Sequence, residues 1–133
     1  MSETVKSIRV FNALSTAAGA TSGSSAPIDL NVLGSVGYFT GIATVTGTGT
    51  ATIGYEVSYD DGTTWFKPSS QAAISTAKTI FTGLTASAGP DSDGKYAAQL
   101  TSIAPNSLIR FYITETGSSN AVVVTFDFLV QGE

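Results

Sequence analysis

A strict two-residue alternation of large apolar and polar side chains most limits what this chain can fold into. Near the C-terminus Val122, Val124, Phe126, Phe128 and Val130 point one way, and Thr125 and Asp127 the other. Side chains alternate faces along an extended chain but recur every 3.6 residues in a helix, so this spacing predicts a strand with one buried face. Leu108–Glu115 repeats the pattern, with Ile109, Phe111 and Ile113 set against Arg110, Tyr112 and Thr114. In Ala51–Tyr59, Ile53, Tyr55, Val57 and Tyr59 share one face, and Thr52, Gly54, Glu56 and Ser58 the other. This predicts a third strand, half-buried.

Weaker strand signals lie at Ser7–Leu14, Pro27–Leu33, Tyr38–Val45, Thr79–Leu84 and Lys95–Ile103, and Trp65–Lys67 reads as the start of a return strand. The sum is about eight or nine short strands in one domain over 1–133, enough for an antiparallel β-sandwich. Strand order is open at this point between a jelly-roll-like and an immunoglobulin-like arrangement. No window has a convincing helical period; the Ala-rich Gln71–Lys78 is the best candidate for a helical turn. Thr46-Gly47-Thr48-Gly49-Thr50 is expected to be a loose hairpin turn, Asp60-Asp61-Gly62 a tight turn, and Ala86–Gly94 a loop. Gly117-Ser118-Ser119-Asn120 links the last two strands.

Ser15–Ala26 has no large apolar residue and cannot build a core. It is expected to be a flexible surface loop, or a Ser/Gly/Ala-rich spacer. As a spacer it would make residues 1–25 an N-terminal arm, with the first strand, Val5–Leu14, able to reach a neighbouring subunit.

The chain has no His and no Cys. Ser-His-Asp and Cys-His catalysis, disulfides and His- or Cys-based metal sites are therefore excluded. Charged residues are 12% of the chain, about half the usual share. The basic residues Lys6, Arg9, Lys67, Lys78, Lys95 and Arg110 are scattered, which argues against nucleic acid as a partner. No apolar run is long enough to cross a bilayer as a helix, and Met1-Ser2-Glu3-Thr4 leads to the expectation of no secretory signal.

What remains is carboxylate chemistry or an oxygen-ligand cation. Asp60 and Asp61 are adjacent but fall in a turn, and Glu56 and Glu115 fall on different strands, so solvated or isolated carboxylates are expected. Asp91-Ser92-Asp93-Gly94 opens like a calcium loop but lacks its third acidic position and distal Glu, so an Asp-rich turn is expected. No phosphate-cradling loop is present. We assign no catalytic, cofactor-binding or metal-binding residue, and no cofactor.

Ser58-Tyr59-Asp60-Asp61-Gly62-Thr63-Thr64-Trp65 fits S-x-D-x-G-x-x-W and looks like an Asp-box. That resemblance implies a turn tied by Ser and Asp with Trp packed beneath it, and because aromatic side chains are buried by default Trp65 is expected to be a core residue rather than a sugar platform. More broadly, the Ala/Thr/Ser/Gly-rich, charge-poor, Cys-free composition and this hairpin resemble the small β-sandwich virion proteins of tailed bacteriophages, of the capsid decoration, cement or tail-associated type. The resemblance implies a non-enzymatic protein of the virion, assembled in the host cytoplasm. It would bind the major capsid protein or other virion proteins, stabilise the assembled head, and self-associate, with a trimer as the first expectation. The alternative is a carbohydrate-binding or adhesion module, possibly tail-borne, whose glycan would stack on exposed Tyr or Trp rings.

Overall fold

The computed structural model describes residues 4–33, 35–67, 78–89, 91–100, 103 and 107–132. They form eight strands: β1 (Thr4–Thr16), β2 (Ile28–Asp29), β3 (Ser35–Gly47), β4 (Ala51–Ser58), β5 (Lys78–Leu84), β6 (Lys95–Leu100), β7 (Leu108–Glu115) and β8 (Val122–Gly132). There is no helix among the described residues. Gln71–Lys78 lies outside them except for Lys78, where β5 begins.

The strands make two antiparallel four-stranded sheets, ordered β1-β8-β3-β6 and β2-β7-β4-β5. The pairs β1 with β8, β2 with β7, β3 with β6 and β4 with β5 are nested, as if one long hairpin had been rolled across both sheets. That nesting is the jelly roll. An immunoglobulin-like sandwich places its first two strands side by side, whereas here only β4 and β5 are neighbours both in sequence and in a sheet.

The core lies between the sheets and is built from the alternation read in the sequence. Val122, Val124, Phe126, Phe128 and Val130 of β8 and Ile109, Phe111 and Ile113 of β7 are fully buried. Phe111 joins the two layers, its ring centroid 4.9 Å from Phe126 and 5.1 Å from Phe128, both at tilted angles that aromatic pairs favour. Gly41 makes room for this cluster, since a Cβ there would come within 2.9 Å of the Phe126 ring.

Several local expectations change once strands are assigned to sheets. Thr46–Thr50 is not a hairpin turn, because β3 and β4 belong to different sheets and the segment crosses between them. Pro27–Leu33 yields only the two-residue β2, followed by a turn in which Asp29 Oδ1 accepts from Asn31 N at 3.0 Å. The return at Trp65–Lys67 is a single bridge, Val57 to Phe66. β4 is not half-buried: Gly54, Glu56 and Ser58 are as buried as the residues facing the core. Tyr59, expected on the core face, stands 58% exposed just past the end of β4.

β1 pairs with β8 of its own chain over its full length and contributes Phe11 to the core, with Ile8, Val10 and Leu14 packed against it. Removing residues 1–25 would strip one sheet of a strand, so the first strand is part of this sandwich rather than a separable arm in the isolated chain. Residues 17–26 do not hang free. They run along β7, with Ser22 N donating to Ile113 O at 2.7 Å and Ser25 N to Phe111 O at 2.9 Å.

Candidate functional site

The Asp-box turn forms as its pattern implies. Ser58 Oγ donates to Asp60 Oδ1 at 2.8 Å and accepts from Gly62 N at 2.9 Å, and Thr64 N donates to Asp60 Oδ1 at 2.8 Å. Asp61 and Gly62 take the left-handed conformation, at φ 60° and 87°, which explains the glycine. The hydrogen bonds from Thr64 and Ser58 hold the Asp60 carboxyl below its ordinary pKa. This carboxylate is committed to the turn.

Trp65 does not enter the core. It lies half-buried on the outer side of β7, with the Arg110 guanidinium 4.0 Å from its ring centroid. Arg110 Nε in turn donates to Glu56 Oε1 at 3.0 Å, so the three side chains form one stacked and ion-paired group. Tyr112 stands next along the same face, 5.6 Å from Arg110; burial, then Glu56, pushes its phenol up. The outer face of the β2-β7-β4-β5 sheet is thus roofed by its own side chains.

Glu115 ends the buried row of β7 and is 1% exposed. Oε1 accepts from Gly19 N (2.9 Å) and Ser118 N (2.7 Å), and Oε2 from Thr50 N (2.8 Å) and Gly117 N (2.8 Å). These bonds, led by that of Thr50, lower its pKa to about 2. One carboxylate therefore ties three connections together at one end of the sandwich: β1–β2, β3–β4 and β7–β8. Glu56 and Glu115 do not meet. Glu56 pairs with Arg110, whereas Glu115 pairs with Ala51 at the far end of β4 and faces inward.

The remaining carboxylates are equally dispersed. Asp93 Oδ1 accepts from Lys95 N at 3.1 Å within its own turn. No group of three or more acidic residues able to hold a metal ion occurs among the described residues. The five tyrosines do not line up as a sugar platform. Tyr55 is core, Tyr96 donates its hydroxyl to Thr85 O at 2.9 Å, and Tyr112 sits beside Arg110. Of the exposed pair, Tyr38 lies on β3 of one sheet and Tyr59 just past β4 of the other.

Among the described residues, the outer face of the β1-β8-β3-β6 sheet stays open. The strand registers stack it in rows: Val5–Gln131–Tyr38, Ser7–Leu129–Thr40–Gln99, Arg9–Asp127–Ile42–Ala97, Thr125–Thr44–Lys95 and Ser15–Val123–Thr46. Its strands carry the ion pair of Arg9 with Asp127, and Lys95 on the edge strand, and Asp91 and Asp93 border it beside Ile42 and Ala97. Val5 and Tyr38, in one row, are 65% and 63% exposed. Sequence reasoning missed this face because a polar outer row looks the same whether it meets water or a partner.

No protein-family model and no curated protein matches the chain. Two solved structures are similar to it. The infectious bursal disease virus VP2 subviral particle aligns with a TM-score of 0.50 at 11% identity, over 98% of this chain and 33% of that one. A structure of the infectious bursal disease virus Gx strain aligns with a TM-score of 0.46 at 14% identity, over 98% and 32%. The chain thus spans about a third of the length of these proteins. At 11% identity the first likeness supports the fold class alone, an eight-stranded jelly roll.

Proposed function

We propose that this protein is a non-enzymatic structural component of a virus particle, most specifically a decoration or cement protein that binds and stabilises the head of a tailed bacteriophage. The observation that carries this reading is the open face of the β1-β8-β3-β6 sheet. Five rows of Thr, Ser, Gln and apolar side chains with few charges can be dehydrated against another protein at little electrostatic cost. The Arg9–Asp127 pair is already self-neutralised and would enter such a contact without an unpaired charge. The jelly roll is the architecture found in a protein solved as a subviral particle, which supports the reading by analogy of fold.

On this reading the partners are further copies of the chain, with a trimer as the first expectation, and the major capsid protein or another virion protein. The location is the virion, assembled in the host cytoplasm. The test is the solution mass by light scattering, alone and after co-sedimentation with purified tailed-phage heads. A discrete oligomer, or co-sedimentation, is the expected result. A monomer that ignores the heads would overturn the proposal and favour a carbohydrate-binding or adhesion module, with Tyr59 against Phe66 (centroids 6.0 Å apart) as the first rings to test on a glycan array.

A further inference from the structure

We propose that residues 19–25 form a strap that opens as one unit, with Glu115 as its latch, and that opening uncovers the edge of β7. Three observations carry this. First, apart from two contacts with its immediate chain neighbours, Ala20 N to Ala17 O and Ser25 Oγ to Ala26 O, the described hydrogen bonds leaving the segment end on β7. Gly19 N reaches Glu115 Oε1 at 2.9 Å, Glu115 N donates to Ala20 O at 2.9 Å, and the Thr21 and Thr114 hydroxyls meet at 3.0 Å. Ser22 and Ser25 each bond β7 twice. Their amides donate to Ile113 O and Phe111 O, and their hydroxyls accept from Ile113 N and Phe111 N, both at 2.9 Å.

Second, packing does not hold the strap down. Its residues are Gly, Ala, Thr and Ser. A groove of about 420 Å³ runs between it and β1, bordered by Phe11, Leu14 and Thr16. A segment fixed by hydrogen bonds over a groove, with almost no apolar burial, belongs to the low-stability end of a fold. Third, the attachment is not a regular ladder. Ser22 and Ser25 of the strap, then Ile28 of β2, meet Ile113, Phe111 and Ile109, so three residues of this run cover each two of β7. Serine hydroxyls therefore stand where the carbonyls of a paired strand would be. They close an edge that would otherwise present alternate N–H and C=O groups to any neighbouring strand.

Glu115 is the latch because its carboxylate holds Gly19, at the start of the strap, to the same point as Thr50, Gly117 and Ser118. The experiment is amide hydrogen exchange by NMR on the full chain and on Glu115→Gln at neutral pH. The expected result is that Ser22, Ser25, Phe111 and Ile113 lose protection together, by tenfold or more, while Val124 and Phe126 on β8 keep theirs. Loss confined to Gly19, Thr50, Gly117 and Ser118 would overturn the proposal, since Phe111 and Ser25 would then open independently of Glu115. If Glu115→Gln does not fold, Ser22→Ala/Ser25→Ala decides. Faster exchange at Gly19 and Glu115 as well as at Phe111 and Ile113 is expected, with Thr50 and Gly117 unchanged. Unaltered exchange at Gly19 and Glu115 would overturn it.

Discussion

On the β2-β7-β4-β5 sheet the outward side chains of Glu56 and Ser58 are buried, at 6% and 1% exposure, beneath the Arg110–Trp65 stack and the Asp-box turn. On the β1-β8-β3-β6 sheet the outward row from Val5 to Tyr38 is left open. Both sheets face the same core and obey the same alternation, so burial of the inner face does not separate them. What separates them is the connection that follows each strand. The chain leaving β4 folds back to set Trp65 on Arg110 of its own sheet, while Phe66 bridges Val57 and residues 19–25 close the β7 edge. The described connections place no comparable cover over β8 and β3. Among the described residues, then, one sheet is covered by its own loops and the other keeps an open face.

The largest effect is expected where the two sheets share a contact. Phe111→Ala removes the ring between Phe126 and Phe128 and should cost about 3–5 kcal/mol, measured by denaturant unfolding. A loss below about 1 kcal/mol would mean that the layers are not coupled through this residue.

Glu115 is the next test. Its folded pKa of about 2 lies below the ordinary 4.5, so its contribution to stability is full above 4.5 and is lost as the pH falls towards 2. Thermal unfolding should show the protein more stable than Glu115→Gln at pH 7, with the gap closing between pH 4.5 and 2. A gap that does not change with pH would show that the carboxylate charge is not what holds the three connections.

On the covered sheet, Ser58→Ala leaves the Gly62 amide without its acceptor and should cost about 1–3 kcal/mol by chemical denaturation. On the open sheet, Val5→Lys/Tyr38→Lys should change stability by about 0.5 kcal/mol or less, yet abolish self-association or head binding in light scattering. If the double variant assembles as well as the parent chain, the open face is not the interface.

How much of this was legible in the sequence differs by element. β7 was read to the residue and β8 and β4 nearly so, because each carries its own two-residue period. The Asp-box turn was legible because Ser58, Asp60 and Gly62 bond within five residues of one another. Trp65 was misplaced because a single aromatic residue carries no period, and its site depended on Arg110, which is distant in sequence. Residues 17–26 read as a loose spacer because Ser22 and Ser25 reveal their role only when β7 lies alongside. Glu115 read as an ordinary carboxylate because all but two of its donors come from residues 65 or more positions away.

The sequence by itself determined that the chain is all-β, where most of its strands run, most of the residues that face the core, and that His- and Cys-based chemistry is absent. These follow from local alternation and from residue types, which need no knowledge of partners. The tertiary structure alone decided that the strands nest as a jelly roll, that among the described residues one sheet is roofed and the other open, and that a buried carboxylate gathers three connections. Those features are pairings between segments distant in sequence, and their free energy exists only once the chain has brought them together.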